Sequence, residues 1–155
     1  MNNEPRQPAK IRFKCTPCVF IYLTRESKNG KEILLQLREN TGYMDGKYHF
    51  GAAGHVEAGE TFAQAAIREV AEEIGVEILP EDLILKYISY SLDEAYLRCV
   101  FGAKTYTGTP HVCEPNKCAG LLWAKIDDLP ENIAPYIPDI IHDIEHGGKF
   151  DRGIM

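Results

Sequence analysis

Apolar positions recur along this chain with two different periods. Residues 17–23 form an almost continuous apolar run, and residues 32–38 alternate, with Ile33, Leu35 and Leu37 on one face and Leu34, Gln36 and Arg38 on the other. That period of two predicts two strands, separated by the turn-rich Ser27-Lys28-Asn29-Gly30. Further strands are expected over 83–91, 96–104 and 119–126. Between residues 40 and 60 the periodicity lapses and glycines crowd in, at Gly42, Gly46, Gly51, Gly54 and Gly59. This segment reads as loops around one or two short strands, and a loop of that length in a small domain is commonly functional.

The period then changes to that of a helix. Thr61 and Gln64 fit a capping box, Ala63, Ala66, Ile67, Val70 and Ile74 form one apolar stripe, and Gly75 is placed to end the helix. A second helix is expected to start near Pro138, to bury Ile140, Ile141 and Ile144, and to stop at Gly147-Gly148. Strands, helix, strands, helix is the order of an α+β sandwich with a mixed β-sheet rather than of a doubly wound fold. No repeat or linker divides the chain. Residues 1–10, polar with Pro5 and Pro8, read as a flexible N-terminal tail, and 11–155 as a single domain.

Length and composition agree: 155 residues, 45% of them hydrophobic, suit one domain with its own core. The longest purely apolar run, Cys18 to Leu23, is far short of the ~20 residues that span a membrane. The start of the chain lacks the apolar centre of a secretory signal, so a cytoplasmic protein with reduced thiols is expected. Cys15, Cys18, Cys113 and Cys118 suggest a zinc site by spacing, but Cys15 and Cys18 run into a strand, where residues three apart face opposite ways. Buried free cysteines are the expectation.

Charge narrows the chemistry. The net charge of −6 argues against a broad basic surface for DNA or RNA, so no nucleic-acid polymer is expected as partner. Nearly all of that charge lies in residues 54–77, where Glu57, Glu60, Glu69, Glu72, Glu73 and Glu77 face Arg68 alone. On the helix, Glu69, Glu72 and Glu73 fall together beside the apolar stripe at spacings i, i+3 and i+4. At ~4 Å each like-charge pair costs about 1 kcal/mol in water and about 4 kcal/mol at an effective dielectric near 20. Such a cluster calls for a cation, a proton or full exposure; no ion-pair ladder accompanies it, though Arg68 sits beside it. Oxygen-only donors suit Mg²⁺, with Mn²⁺ as substitute, and a hard ion held by carboxylates is the usual partner of substrate phosphates.

Residues 54–76, GHVEAGETFAQAAIREVAEEIGV, match every specified position of the Nudix box, G-x5-E-x7-R-E-U-x-E-E-x-G-U with U a bulky aliphatic, through Gly54, Glu60, Arg68, Glu69, Val70, Glu72, Glu73, Gly75 and Val76. On those residues the chain resembles the Nudix hydrolases. The resemblance implies an α/β/α sandwich and metal-dependent hydrolysis of a nucleoside diphosphate linked to another group. It implies that Glu69, Glu72, Glu73 and the Gly54 carbonyl hold the metal, that Arg68 orients the glutamates, and that Glu60 supports the loop. Water attacks phosphorus in line, with Glu72 or Glu73 as candidate base.

Outside the box, Arg38 ends a strand where MutT-like members often present a basic residue to phosphates. Tyr43, Tyr48 and Phe50 are candidates to stack on a base, and Glu114 to serve as a late metal ligand or base reader. Trp123 is expected in the core, and His142 and His146 in solvent. Gly51-Ala52-Ala53-Gly54 departs from the Pro-Gly-Gly often found before the box. The downstream proline usual in ADP-ribose hydrolases and the SQPWPxS-like signature of NADH hydrolases are missing. The expectation is therefore a MutT-like enzyme, monomer or homodimer, converting a nucleoside triphosphate to monophosphate and pyrophosphate. Its competitors are hydrolysis of ADP-ribose or another nucleotide conjugate, and a non-catalytic nucleotide-binding module.

Overall fold

A computed structural model describes residues 9–151. Of the expected tail, residues 1–8 lie outside the described residues. The apolar run forms β1 (Thr16–Ile21), followed by the hairpin of β2 (Thr24–Ser27) and β3 (Gly30–Arg38). Sequence reading missed β2 because its four residues, Thr-Arg-Glu-Ser, are all polar; its ladder to β3 holds it, not burial. The glycine-rich segment contains β4 (Tyr48–Phe50) and β5 (Ala52–His55), and then comes α1 (Phe62–Ile74). After a short 3-10 turn (Pro80–Asp82) come β6 (Leu83–Ser91), β7 (Tyr96–Ala103), β8 (Cys118–Lys125) and α2 (Ile137–Glu145).

The strands form two sheets, of which one is the expected mixed sheet. The first is mixed, in the order β5-β1-β7-β6, with β1 and β7 parallel. The second is antiparallel: β8 runs along one edge of β3, while β2 and β4 share the other. β1 serves two cores. Val19, Ile21 and Leu23 point toward α1, against Ala65, Ala66, Val70 and Ile74. Cys18, Phe20 and Tyr22 point the other way, toward Ile137, Ile140 and Ile141 of α2. Helices thus cover both sides of the sheets, the α/β/α arrangement of the sandwich. Trp123 is only half-buried, with the Arg25 guanidinium 4.4 Å above its ring. Among the described residues no helix is long and apolar enough to cross a membrane.

The start of α1 follows its sequence signals closely. Gln64 N–H donates to the Thr61 hydroxyl at 3.1 Å, and Thr61 N–H donates to Gln64 Oε1 at 2.8 Å. Gly75 ends the helix at φ 67°, and a Cβ there would meet the His111 ring at 2.2 Å. Thr61→Ala is expected to lower stability by about 1 kcal/mol, read as a shift in the urea midpoint at unchanged slope.

Candidate active site

β5 pairs antiparallel with β1, setting Gly54 opposite Val19 and Ala53 opposite Phe20. This fixes the Gly54 backbone against α1 and brings the three glutamates to it unequally. The helix is rotated from the stripe read in sequence: Ala65 is buried, whereas Ala63 and Ile67 are only half-buried. As a result Glu69 and Glu73 lie on the margin of the buried face and Glu72 is exposed.

Glu69 lies directly over Gly54, so that a Cβ on Gly54 would meet its Oε1 at 2.0 Å. Glu73 is pinned: its Oε2 accepts from Ala53 N–H at 2.8 Å and from Gln36 Nε2 at 3.3 Å. Arg68 ties the cluster to the preceding loop. Its Nη2 and Nε donate to the two Glu60 oxygens at 2.6 and 3.0 Å, and Nη2 also to the His55 carbonyl at 3.0 Å. Its Nη1 reaches Glu69 at 2.7 Å and Glu72 at 3.3 Å. The last contact corrects the sequence expectation of unpaired glutamates, since Arg68 stands four residues before Glu72 and pairs with it.

The proton affinities follow from these surroundings. Hydrogen bonds from Arg68, and then from Glu57 N–H, hold Glu60 down to about 2. Burial pushes Glu69 up despite Arg68. Burial also lifts Glu73 to about 7, with the Glu69 and Glu114 charges adding to the rise and the Ala53 and Gln36 hydrogen bonds opposing it. Between the ordinary carboxylate range and pH 7, the folded protein therefore holds a proton that the unfolded chain has released. Stability of the metal-free protein is expected to fall as pH rises through that window, by on the order of 3 kcal/mol. Thermal unfolding in chelator from pH 4.5 to 8 reads this slope, and Glu73→Gln should flatten it.

No group of three or more His, Cys, Asp or Glu side chains among the described residues is gathered to hold a metal as it stands; Glu69 and Glu72 are drawn onto Arg68, and Glu73 onto Ala53 N–H and Gln36. Even so, the donors suit a hard divalent ion. All are oxygens, and the Glu69 carboxylate and the Gly54 backbone lie closer than any side chain at position 54 would allow. The cysteines are separated by exposure: Cys18, Cys99 and Cys118 are buried, while Cys15 and Cys113 are exposed, the latter 3.5 Å from His111 Nε2. His142 and His146 are exposed and stack on each other at 4.2 Å.

The acidic groove, about 420 Å³, is walled by Glu57, Arg68, Glu69, Glu72 and Glu73 on one side and by Glu114 and Lys117 on the other. It shares Arg38, Thr41, Ala53, Gly54 and His55 with a second cleft of about 310 Å³, lined also by Phe20, Tyr43, His49 and Tyr96. Arg38 stands where the two meet, its Nε donating to the Tyr43 carbonyl at 2.7 Å. Arg38, Tyr43 and Glu114 line these clefts. Tyr48 and Phe50 do not. They pair with Leu37 and Leu35 of β3, and both pack on the α2 side, Phe50 completely buried. On a strand, alternate residues face opposite ways, so it is His49, between them, that reaches the cleft. That alternation was the available signal for His49. Tyr96 carried none, because it arrives from β7, distant in sequence.

A family model described as NUDIX domain matches residues 15–144. Curated relatives include an NAD-capped RNA hydrolase NudC of Escherichia coli O157:H7, 29% identical over 119 residues, and another of Shigella flexneri, 30% identical over the same length. In each case the match takes in 74% of this chain and 40% of the relative, so the chain spans about two fifths of their length. Among solved structures, a MutT NUDIX hydrolase from Burkholderia pseudomallei superposes with a TM-score of 0.73 at 23% identity, covering 83% of this chain and 97% of that one. A NUDIX hydrolase from Nitrosomonas europaea gives 0.67 at 24% identity, covering 92% and 96%. At those identities the likeness speaks for the fold.

Proposed function

The chain belongs to the Nudix family, and on that premise we propose that it is a Mg²⁺-dependent pyrophosphohydrolase that converts a nucleoside triphosphate to the monophosphate and pyrophosphate. The family acts on nucleoside diphosphate derivatives and generally uses divalent cations. The observation that carries the finer reading is the adjacency of the two clefts: an acidic groove suited to metal and phosphates shares Arg38 and Gly54 with an aromatic cleft suited to a base.

Glu69, Glu72, Glu73 and the Gly54 carbonyl are the groups that would hold the cation. When bound, it supplies charge neutralisation for the diphosphate and eases deprotonation of the attacking water. The protein's own groups do the rest. Arg68 holds Glu69 toward Gly54 and anchors the loop through Glu60. Glu73 is fixed by two N–H donors, whereas the Glu72 side chain is half exposed and meets Arg68 only at 3.3 Å. Glu72 is therefore the carboxylate free to turn and accept the proton of water, and Glu73 the one that positions. Arg38 faces both clefts and supplies positive charge where a phosphate next to the nucleoside would lie.

A second reading, hydrolysis of a nucleotide conjugate, draws support from the curated relatives, whose names give NAD-capped RNA as substrate. Incubation with Mg²⁺ and a panel of triphosphates, ADP-ribose and dinucleotides, followed by product identification, separates the two. Monophosphate plus pyrophosphate is the expected result. Two monophosphates from a conjugate would replace the first reading with the second, and tight binding without turnover would replace both with a binding module.

A further inference from the structure

His49 is 1% exposed, yet it forms part of the wall of the aromatic cleft. Its Nδ1 is the buried side-chain nitrogen or oxygen among the described residues that has no hydrogen-bond partner. Orphaned polar atoms of this kind are rare, and each needs a physical account. The other ring nitrogen is engaged, with Nε2 2.6 Å from the Tyr136 hydroxyl.

The neighbouring groups determine which nitrogen carries the proton. Glu94, paired with Arg98, accepts the Tyr43 hydroxyl at 3.0 Å, so the single Tyr43 proton is spent there. The Tyr43 oxygen is then an acceptor for Tyr136, 3.4 Å away. With the Tyr136 proton turned to Tyr43, its oxygen accepts Nε2–H of His49. Every donor from His49 through Tyr136 to Tyr43 is then satisfied, with Glu94 as the final acceptor, and Nδ1 is left as a bare lone pair. The opposite tautomer would leave a buried N–H without an acceptor, the costlier fault. Arg98, itself buried with its guanidinium 4.2 Å over the Tyr136 ring, keeps positive charge behind the relay. Burial, together with the Arg38 and Arg98 charges, pushes the imidazole down to about 3, so it is neutral at physiological pH.

We infer that His49 is a specificity-determining residue: its Nδ1 accepts a hydrogen bond from an exocyclic amino group of the nucleobase seated in the aromatic cleft. This rests on the proposed nucleotide substrate and deepens it, since it selects amino-bearing bases over their desamino counterparts. The Glu94–Tyr43–Tyr136 relay sets the tautomer and is a positioning device. Tyr43 also belongs to the cleft wall, so a base entering the cleft touches the relay as well as its end.

Matched pairs of nucleoside diphosphates test this with Mg²⁺ present: adenosine against purine riboside, guanosine against inosine, cytidine against its 4-desamino analogue. Kd is measured by titration calorimetry with short incubations, and turnover is assayed separately. At least one amino-bearing member is expected to bind about tenfold more tightly than its partner, the scale of leaving a buried polar group unpaired. His49→Phe, which keeps an aromatic ring, should bring that member down to its desamino partner. Tyr136→Phe removes one oxygen and releases the tautomer, and should narrow the same gap even if His49→Phe does not fold. Equal binding within all three pairs in the wild type, or a gap that survives both substitutions, overturns the inference. A gap that depends on His49, in a protein that hydrolyses none of the panel, leaves the inference standing and removes the proposed activity.

Discussion

Replacing Glu73 with glutamine is expected to lower kcat/KM by between about a hundred- and a thousand-fold at neutral pH with saturating Mg²⁺, while raising the unfolding temperature of the metal-free protein. The loss has the size expected on removing a group that stabilises charge in a transition state. The gain in stability follows from burial. The carboxylate sits on the margin of the buried face of α1, where its charge is disfavoured up to about pH 7. An amide keeps an oxygen for Ala53 N–H without that charge. A group whose part was only structural would lose stability on substitution, so opposite signs in the two measurements identify a site that trades stability for function. Glu72→Gln, at an exposed position, should lower turnover with little change in stability. If both variants retained full metal-dependent turnover, the assignment of these carboxylates would have to be abandoned.

Gly54→Ala is the second large effect expected. The added Cβ would meet Glu69 Oε1, Cδ and Oε2 at 2.0, 2.1 and 2.6 Å. All three atoms belong to the end of one side chain, which swings away more readily than a backbone yields. The cost in stability should therefore be modest, about 1–3 kcal/mol. The cost in activity should be at least a hundredfold, because the carboxylate must leave the carbonyl it shares the site with. Mn²⁺ binding followed by electron paramagnetic resonance should weaken in parallel. Gly51→Ala makes a sharp control. Its Cβ would press on Leu34 at 3.0 Å, so stability should fall while metal binding persists. Unchanged turnover in Gly54→Ala would remove that backbone from the proposed metal site.

Much of this arrangement was legible before the fold. The α1 boundaries rest on local chemistry, a side-chain cap at Thr61 and a left-handed glycine at position 75, and local chemistry is written in adjacent residues. The carboxylate cluster was legible for the same reason, since helical spacing is fixed. What escaped depended on partners remote in sequence. β2 is polar and exists through its ladder to β3. The wheel placed the glutamates together but did not show that Glu73 is half-buried, because that depends on where β5 meets the helix. Tyr48 and Phe50 were assigned to the substrate by residue type, and the alternation of β4 turned them toward the α2-side core and His49 toward the cleft wall. Pairing of Arg68 with Glu72 was available from spacing alone and was overlooked.

The two cores flanking β1 differ in the size of what the strand sends into them. Toward α1 go Val19, Ile21 and Leu23, meeting Ala65 and Ala66; toward α2 go Cys18 and the rings of Phe20 and Tyr22. A slip of β1 by one residue would exchange these sets and drive two rings toward the side built from alanines. Packing therefore rejects the slipped pairing before any catalytic group is involved. Since β1 is also the strand on which β5 is laid, with Val19 against Gly54, the same asymmetry holds the Gly54 carbonyl at its place along the helix. The size difference between the two cores acts as a ruler for the site.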